Sequence, residues 1–368
     1  MGALLDRLAG RKIAVCVGSG GVGKTTVAAA IGLHHAVEGA KVLVCTIDPA
    51  RRLANALGLE ALGNVESHVP DHKFREAGLA PRGQLFAMML DVKRTWDDLV
   101  ARHAPDRARR ERIYQNRIYQ QLSTALAGSQ EYMAMEKLYE LVTERDYDLV
   151  VLDTPPTAHA LDFLDAPDRV LDFLGNDTAR ALLAPATRAG MRLFQLGGTY
   201  VVKTLARFTG ADVLHDLGEF MASFGGMYEG FKERAASVRE LLARPDVGFV
   251  LVSSAAPRSV DEALFFHERL HAEGMPIAGA VANRVTAGLW DSDVLPTGWE
   301  LAERLGATDA DLAERLARTL AEHEVLARAD AREVTRLLTA VGEGSVAVPR
   351  LETDVHDLAG LARLGLAL

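Results

Sequence analysis

The sequence of 368 residues predicts an α/β fold, a doubly wound and mostly parallel sheet flanked by helices. Three observations carry that expectation. Apolar runs at 13–17, 42–47, 149–152, 249–252 and 278–282 show no alternation, as expected of strands covered on both faces. Helix-like stretches lie between them, which requires crossover connections. A glycine-rich turn follows the first run directly, at the edge where such sheets hold ligands.

The elements follow in order. The run at 13–17 leads through GSGGVGKTT into the helix-like TTVAAAIGLHHAVEG, and 42–47 ends at Asp48. A further strand is expected at 84–91. Three helical stretches follow, separated by Pro105 and Gly128, before the run that ends at Asp153. Between 180 and 242, Leu214, Leu217, Met221, Phe224, Tyr228 and Phe231 recur at three- and four-residue steps, lining one helix face with large apolar groups. Such a stripe suits either the protein's own core or a groove for a hydrophobic partner. The tail from 300 to 340 reads as a string of short amphipathic helices. The whole, residues 1–368, is expected to be one domain with helical insertions at about 92–145 and 180–242.

Composition narrows the function classes. A net charge of −9 and an isoelectric point near 5.7 argue against a general polyanion binder, so nucleic acid is not an expected partner. Cys16 and Cys45 are the only cysteines; both sit in strand-like runs, and neither belongs to a CxxC. A disulfide framework is therefore not expected, and a reducing cytoplasm is. The opening MGALLDRLAGRK carries neither a secretory apolar core nor a myristoylation signal, and no run reaches membrane-spanning length. The histidines form no metal-ligand spacing. His34 and His35 are adjacent on a helix and point in different directions, and His159 is expected to hydrogen-bond locally.

The chemistry concentrates at three strand ends. Gly18-Ser19-Gly20-Gly21-Val22-Gly23-Lys24-Thr25 matches GxxxxGK[ST] in the strand–loop–helix context that gives this motif its meaning. The glycines let successive N–H groups point inward, and the helix N-terminus adds partial positive charge. Lys24 is expected at the β- and γ-phosphates, Thr25 on Mg²⁺, and Thr26 at the α-phosphate. Asp153 closes an apolar strand as a metal-binding carboxylate does. Asp48 closes another and is placed to orient an attacking water, with Pro49 fixing the turn.

In the order GSGGVGKTT, TIDPARRL, DTPPTAHALDFL, the chain resembles the ArsA-type ATPases, the family of arsenite-pump ATPases and of the targeting factor for tail-anchored membrane proteins. The resemblance covers most of the chain, including Asn283-Arg284 and Pro349. It implies a Mg²⁺-dependent, ATP-hydrolysing dimer with Lys24, Asp48 and Asp153 catalytic, and with the metal held by Thr25, Asp48 and Asp153. The nucleotide would lie against residues 18–26, with Asn283 reading adenine and Arg284 and Pro349 flanking the base; NRVT lacks the aspartate of a guanine reader, so ATP is favoured over GTP. It further implies a homodimer, or a heterodimer with a paralogue, that handles a hydrophobic helical client or serves a membrane protein. The setting would be the cytoplasm or the periphery of the inner membrane. Positioning or regulatory ATPases of the ParA and MinD kind, and a low-activity subunit of a heteromeric ATPase, are the alternatives.

The chain departs from the family pattern in three ways. Ser19 stands where the family carries a lysine that reaches across the dimer, so Arg51 or Arg52, or a paralogue, would have to supply that charge. Without a CxxC, no structural zinc is expected. Two strand-borne cysteines do not make a thiolate site for arsenite.

Overall fold

The apolar runs become strands of one sheet: β1 (Ile13–Val17), β2 (Lys41–Thr46), β3 (Ser67–His68), β4 (Gln84–Met89), β5 (Leu149–Asp153), β6 (Val247–Ser254), β7 (Ile277–Val285) and β8 (Val346–Pro349). The computed structural model describes residues 3–48, 51–125, 129–154 and 228–368 apart from 291, 293, 307 and 308, together with 165, 166, 216, 219, 220 and 223. The strand order is β3-β4-β2-β5-β1-β6-β7-β8, and every neighbouring pair is parallel except β3 with β4. The doubly wound sheet is thus as expected. β3 and β8 are additions, too short for a hydrophobic period to reveal.

Uniform burial of the central strands explains the missing alternation. Successive residues of β1 face opposite layers: Ile13, Val15 and Val17 pack into one apolar cluster, and Ala14 and Cys16 into another. On the second side lie α1 (Ala3–Leu8), α2 (Lys24–Glu38) and α13 (Leu358–Gly365), the last packed on α2. The Leu4 N–H donates to the Leu368 carbonyl at 2.9 Å, tying α1 to residues just beyond α13.

The first side carries the helices between β4 and β5, namely α5 (Val92–His103), α6 (Arg107–Gln115), α7 (Arg117–Ala125) and α8 (Ser129–Glu144). It also carries α9 (Tyr228–Leu242), α10 (Pro257–Ala272) and part of α12 (Ala310–Val341). Of the apolar stripe, Phe231 is fully buried and stacked on Trp96 at 6.1 Å, so it belongs to the core. Leu214, Leu217, Met221, Phe224 and His159 lie outside the described residues, as does Pro49.

The tail differs from its expected form. After the short α11 (Gly298–Leu305), residues 310–341 make one helix of 32 residues. Asp309 caps its start, no glycine or proline interrupts it, and Gly342 follows its end. Its carboxylates also fix the segment after β7. Asp330 accepts from the Thr286 N–H at 2.8 Å, and Glu324, 3% exposed, accepts from the Leu289 and Trp290 amides. Among the described residues, no helix is long and apolar enough to cross a membrane.

Two small helices complete the frame, α3 (Arg52–Ala56) after β2 and α4 (Asp71–Glu76) before β4.

On α2, the His35 ring meets His34 edge-on at 5.3 Å, and its Nε2 is buried without a partner among the described residues. Burial, and secondarily His34, push its pKa down to about 4, against the opposing pull of Glu38. The unfolded chain takes up a proton near the ordinary 6.5 and the native ring does not. This contribution to stability is therefore complete above about pH 6.5 and is lost as pH falls toward 4, amounting to at most about 3 kcal/mol. We expect the wild-type melting temperature to drop more between pH 7.5 and pH 5 than that of His35→Leu; parallel drops would contradict this assignment.

Candidate functional site

The turn after β1 is shaped by close approaches. A Cβ on Gly18 would lie 2.0 Å from the Val252 carbonyl oxygen of β6. Gly23, with φ 99°, has the Asn283 amide nitrogen 2.3 Å from where its Cβ would be. Glycine is required at both positions. The turn opens into the N-terminus of α2, where unpaired backbone N–H groups and the helix dipole favour an anion.

Lys24 begins α2 and is 6% exposed; its Nζ donates to the carbonyls of Gly18 at 2.9 Å and Ser19 at 3.0 Å. Burial pushes its pKa down, and the charge of Asp153 opposes that shift most strongly. The Ser19 hydroxyl is buried with no partner among the described residues.

Asp153, at the end of β5, is 1% exposed. Thr25 donates to its Oδ2 at 2.6 Å and Thr46 at 2.7 Å, while Oδ1 is buried with no partner among the described residues. Burial raises its pKa to about 6, ahead of the two hydroxyl bonds and the Lys24 charge that pull the other way. Beside it, Thr154 donates to the Cys16 carbonyl at 2.8 Å and holds the end of β5 to β1. Asp48 follows β2, with a half-buried side chain whose Oδ2 is 3.8 Å from the Arg52 guanidinium. Arg52 is 66% exposed on its side chain, and Arg51 precedes α3 in the left-handed region at φ 54°.

The far wall comes from β7 and β8. Asn283 is 6% exposed and donates from Nδ2 to the Val22 carbonyl at 2.8 Å, while its Oδ1 accepts from the Arg284 N–H. Arg284 takes φ 60°, a conformation costing a non-glycine residue about 1–3 kcal/mol, and its guanidinium donates to the Gly21 carbonyl at 3.3 Å.

These walls enclose a cleft of about 910 Å³. Lys24, Thr25, Thr26, Asp48, Asn283 and Pro349 line it, as do Gly21, Gly23 and Arg284. Gly18, Ser19, Gly20 and Val22 belong to the turn but are not among the residues that line the cleft, Gly20 being exposed and Val22 buried, and Asp153 stands behind Thr25. Residues that sequence reasoning missed also contribute. Asn55, Thr154 and the segment from Arg350 to His356 complete the cleft, and Thr46 braces the aspartate from behind. Thr46 and Thr154 left a legible trace, the one as a hydroxyl two residues before Asp48 and the other as the residue after Asp153.

The arrangement can bind a polyanion on backbone amides, hold a cation at carboxylate and hydroxyl oxygens, and seat a planar group beyond Asn283. Asp153 Oδ1, buried and without a partner among the described residues, fits a hard cation such as Mg²⁺. A glycine loop leading into a helix N-terminus, beside two aspartates at the carboxyl edge of a parallel sheet, defines a P-loop α/β protein. The model of the anion-transporting ATPase family matches residues 11–295, and the chain belongs to that family.

Among curated proteins, the chain is similar to ATPase GET3 of Malassezia globosa, 29% identical over 154 residues, or 41% of either protein. It is also similar to ATPase GET3A of Arabidopsis thaliana, 29% identical over 152 residues that make up 41% of this chain and 36% of that one. With ATPase ARSA1 of Chlamydomonas reinhardtii it shares 27% identity over 211 residues, 52% of this chain and 26% of that one. The matched segments thus span about two fifths of the GET3 relatives or less.

Both cysteines are buried. Burial raises the Cys45 thiol to about 12 and pushes Cys16 upward as well, so neither is a thiolate near neutrality. A disulfide reagent at pH 8 should label no thiol in the native protein and both after denaturation. Rapid labelling of either native cysteine would contradict this burial.

Proposed function

We propose that the protein is a Mg²⁺-dependent ATPase in which the cleft binds ATP and the strand-end carboxylates govern metal and water. The single observation that carries this reading is that Lys24 and Thr25, Asp48, and Asn283, from three separate stretches of the sequence, line one cleft with Asp153 directly behind Thr25. The backbone amides of the turn and Lys24 bind the β- and γ-phosphates. Thr25, Asp48 and Asp153 would hold Mg²⁺, which would supply charge neutralisation at the phosphate oxygens. Asp48 takes the proton of a water whose oxygen attacks the γ-phosphorus, and the bond to the bridging oxygen breaks to release ADP.

Base preference follows from counting the Asn283 amide. One N–H goes to Val22 and one acceptor position to Arg284, leaving one donor and one acceptor. That pair complements the exocyclic amine and N7 of adenine. Arg52 supplies the positive charge that Ser19 lacks, since it lies beside Asp48 on a long, exposed side chain free to turn toward the γ-phosphate. The resemblance extends the reading to a dimer, formed with itself or with a paralogue, that couples hydrolysis to a hydrophobic helical client or a membrane partner.

Nucleotide binding and phosphate release together test this proposal. Wild type should bind ATP more tightly with Mg²⁺ and hydrolyse it. Lys24→Ala should weaken binding at least tenfold, and Asp48→Asn should keep binding while losing about 10²–10⁴-fold in turnover. Absence of ATP binding by the wild-type protein would overturn the assignment. Arg52→Ala should lower kcat by tenfold or more, and an unchanged kcat would remove Arg52 from the mechanism.

A further inference from the structure

We infer that Thr46 is a positioning residue of this site: its hydroxyl orients the Asp153 carboxylate and ties it to the backbone of Asp48. The inference rests on the ATPase reading above. Thr46 is the last residue of β2, 2% exposed, and stands in register with Asp153, the last residue of β5. It does not line the cleft. Any effect it has on a bound nucleotide or metal must therefore pass through its neighbours.

The direction of its hydrogen bonds is determined. The Asp48 N–H lies 3.2 Å from Thr46 Oγ1, and a backbone amide can only donate, so the hydroxyl oxygen accepts there. Its single proton then goes to Asp153 Oδ2 at 2.7 Å. Thr25 also donates to Oδ2, at 2.6 Å. With both hydroxyls on one oxygen, rotation of the carboxylate is opposed, and the other oxygen is left as the acceptor for a cation. The two donors are not equivalent. Thr25 lines the cleft and is itself a proposed metal ligand, whereas Thr46 is enclosed and has no other polar task for its side chain among the described residues.

The same hydroxyl links two functions. Asp48 is held as the proton acceptor for water, and Asp153 as the metal carboxylate; the chain Asp48 N–H, Thr46 O–H, Asp153 Oδ2 joins them across adjacent strands. A change in the orientation of Asp153 is thereby felt at the backbone of Asp48. Outer partners of this kind govern metal affinity by about 10–100-fold when removed.

Thr46→Val keeps the shape and deletes the hydroxyl, and Thr46→Ser restores the hydroxyl without the methyl. The test is affinity for a fluorescent ATP analogue, titrated over a range of Mg²⁺ concentrations and in EDTA, together with melting temperature. We expect the Mg²⁺ concentration for half-maximal tightening to rise about tenfold or more in Thr46→Val. Affinity in EDTA should be unchanged, and Thr46→Ser should behave as wild type. Loss of affinity to the same degree with and without Mg²⁺ would mean a structural role only, and overturns the inference. So does a wild-type Mg²⁺ response in Thr46→Val, or a shifted one in Thr46→Ser. If Thr46→Val does not fold, the comparison of Thr46→Ala with Thr46→Ser decides by the same criterion. A wild-type protein whose nucleotide affinity ignores Mg²⁺ would instead bring down the ATPase reading itself, and this inference with it.

Discussion

Asp153 carries a carboxylate into a part of the protein that water does not reach. Removing such a charge from water costs several kcal/mol unless its oxygens are paired, and the raised pKa is one expression of that cost. The surrounding structure is arranged around it. β1 carries the turn that places Lys24 and Thr25, β2 brings Thr46, and β5 delivers the carboxylate itself. Parallel pairing is what makes this possible, because it brings the carboxyl ends of all three strands to the same edge. One oxygen is satisfied by two hydroxyls, and the other remains buried and available to a cation.

The glycine turn depends on neighbours as much as on its own glycines. Lys24 reaches back to the Gly18 and Ser19 carbonyls, and Asn283 and Arg284 reach across from β7 to the Val22 and Gly21 carbonyls. Four successive or near-successive carbonyls of the turn are thus taken up by side chains from α2 and β7. The strained backbone of Arg284 belongs to this arrangement, since it places the guanidinium on the turn while its own amide occupies the Asn283 side chain. Beyond it, α12 holds the segment after β7 through Asp330 and Glu324. The far wall of the cleft is therefore anchored to a long rigid helix.

The two faces of the sheet are filled differently. Around α2 and α13 the layer is rich in alanine, which lets the helix that follows the turn lie close to the sheet. The opposite layer is aromatic and includes the buried Glu136 paired with the half-buried Arg234 at 2.8 Å. Pairing inside that layer meets the requirement that a buried charge find a partner, and the Arg234 guanidinium also stacks over Tyr139 at 3.9 Å.

Much of this architecture is written locally. Unbroken apolar runs marked the central strands to within three residues at either end, because strands buried on both faces cannot alternate. The glycine turn, Lys24, Thr25 and the two strand-end aspartates were legible because each is a residue type at a defined place in a local element. Short strands such as β3 and β8 were not legible, since two to four residues carry no period. The long α12 was misread as several helices although no glycine or proline interrupts 310–341, so the local signal for a single helix was present in the sequence. What tertiary structure alone decided is which distant groups meet: Thr46 with Asp153, Asn283 with the Val22 carbonyl, and the segment after β8 with the cleft that opens beside the glycine turn. Hydrogen bonds over such separations depend on strand order and register, and these arise from the packing of the whole sheet, whereas a local run of residues encodes only its own backbone preference.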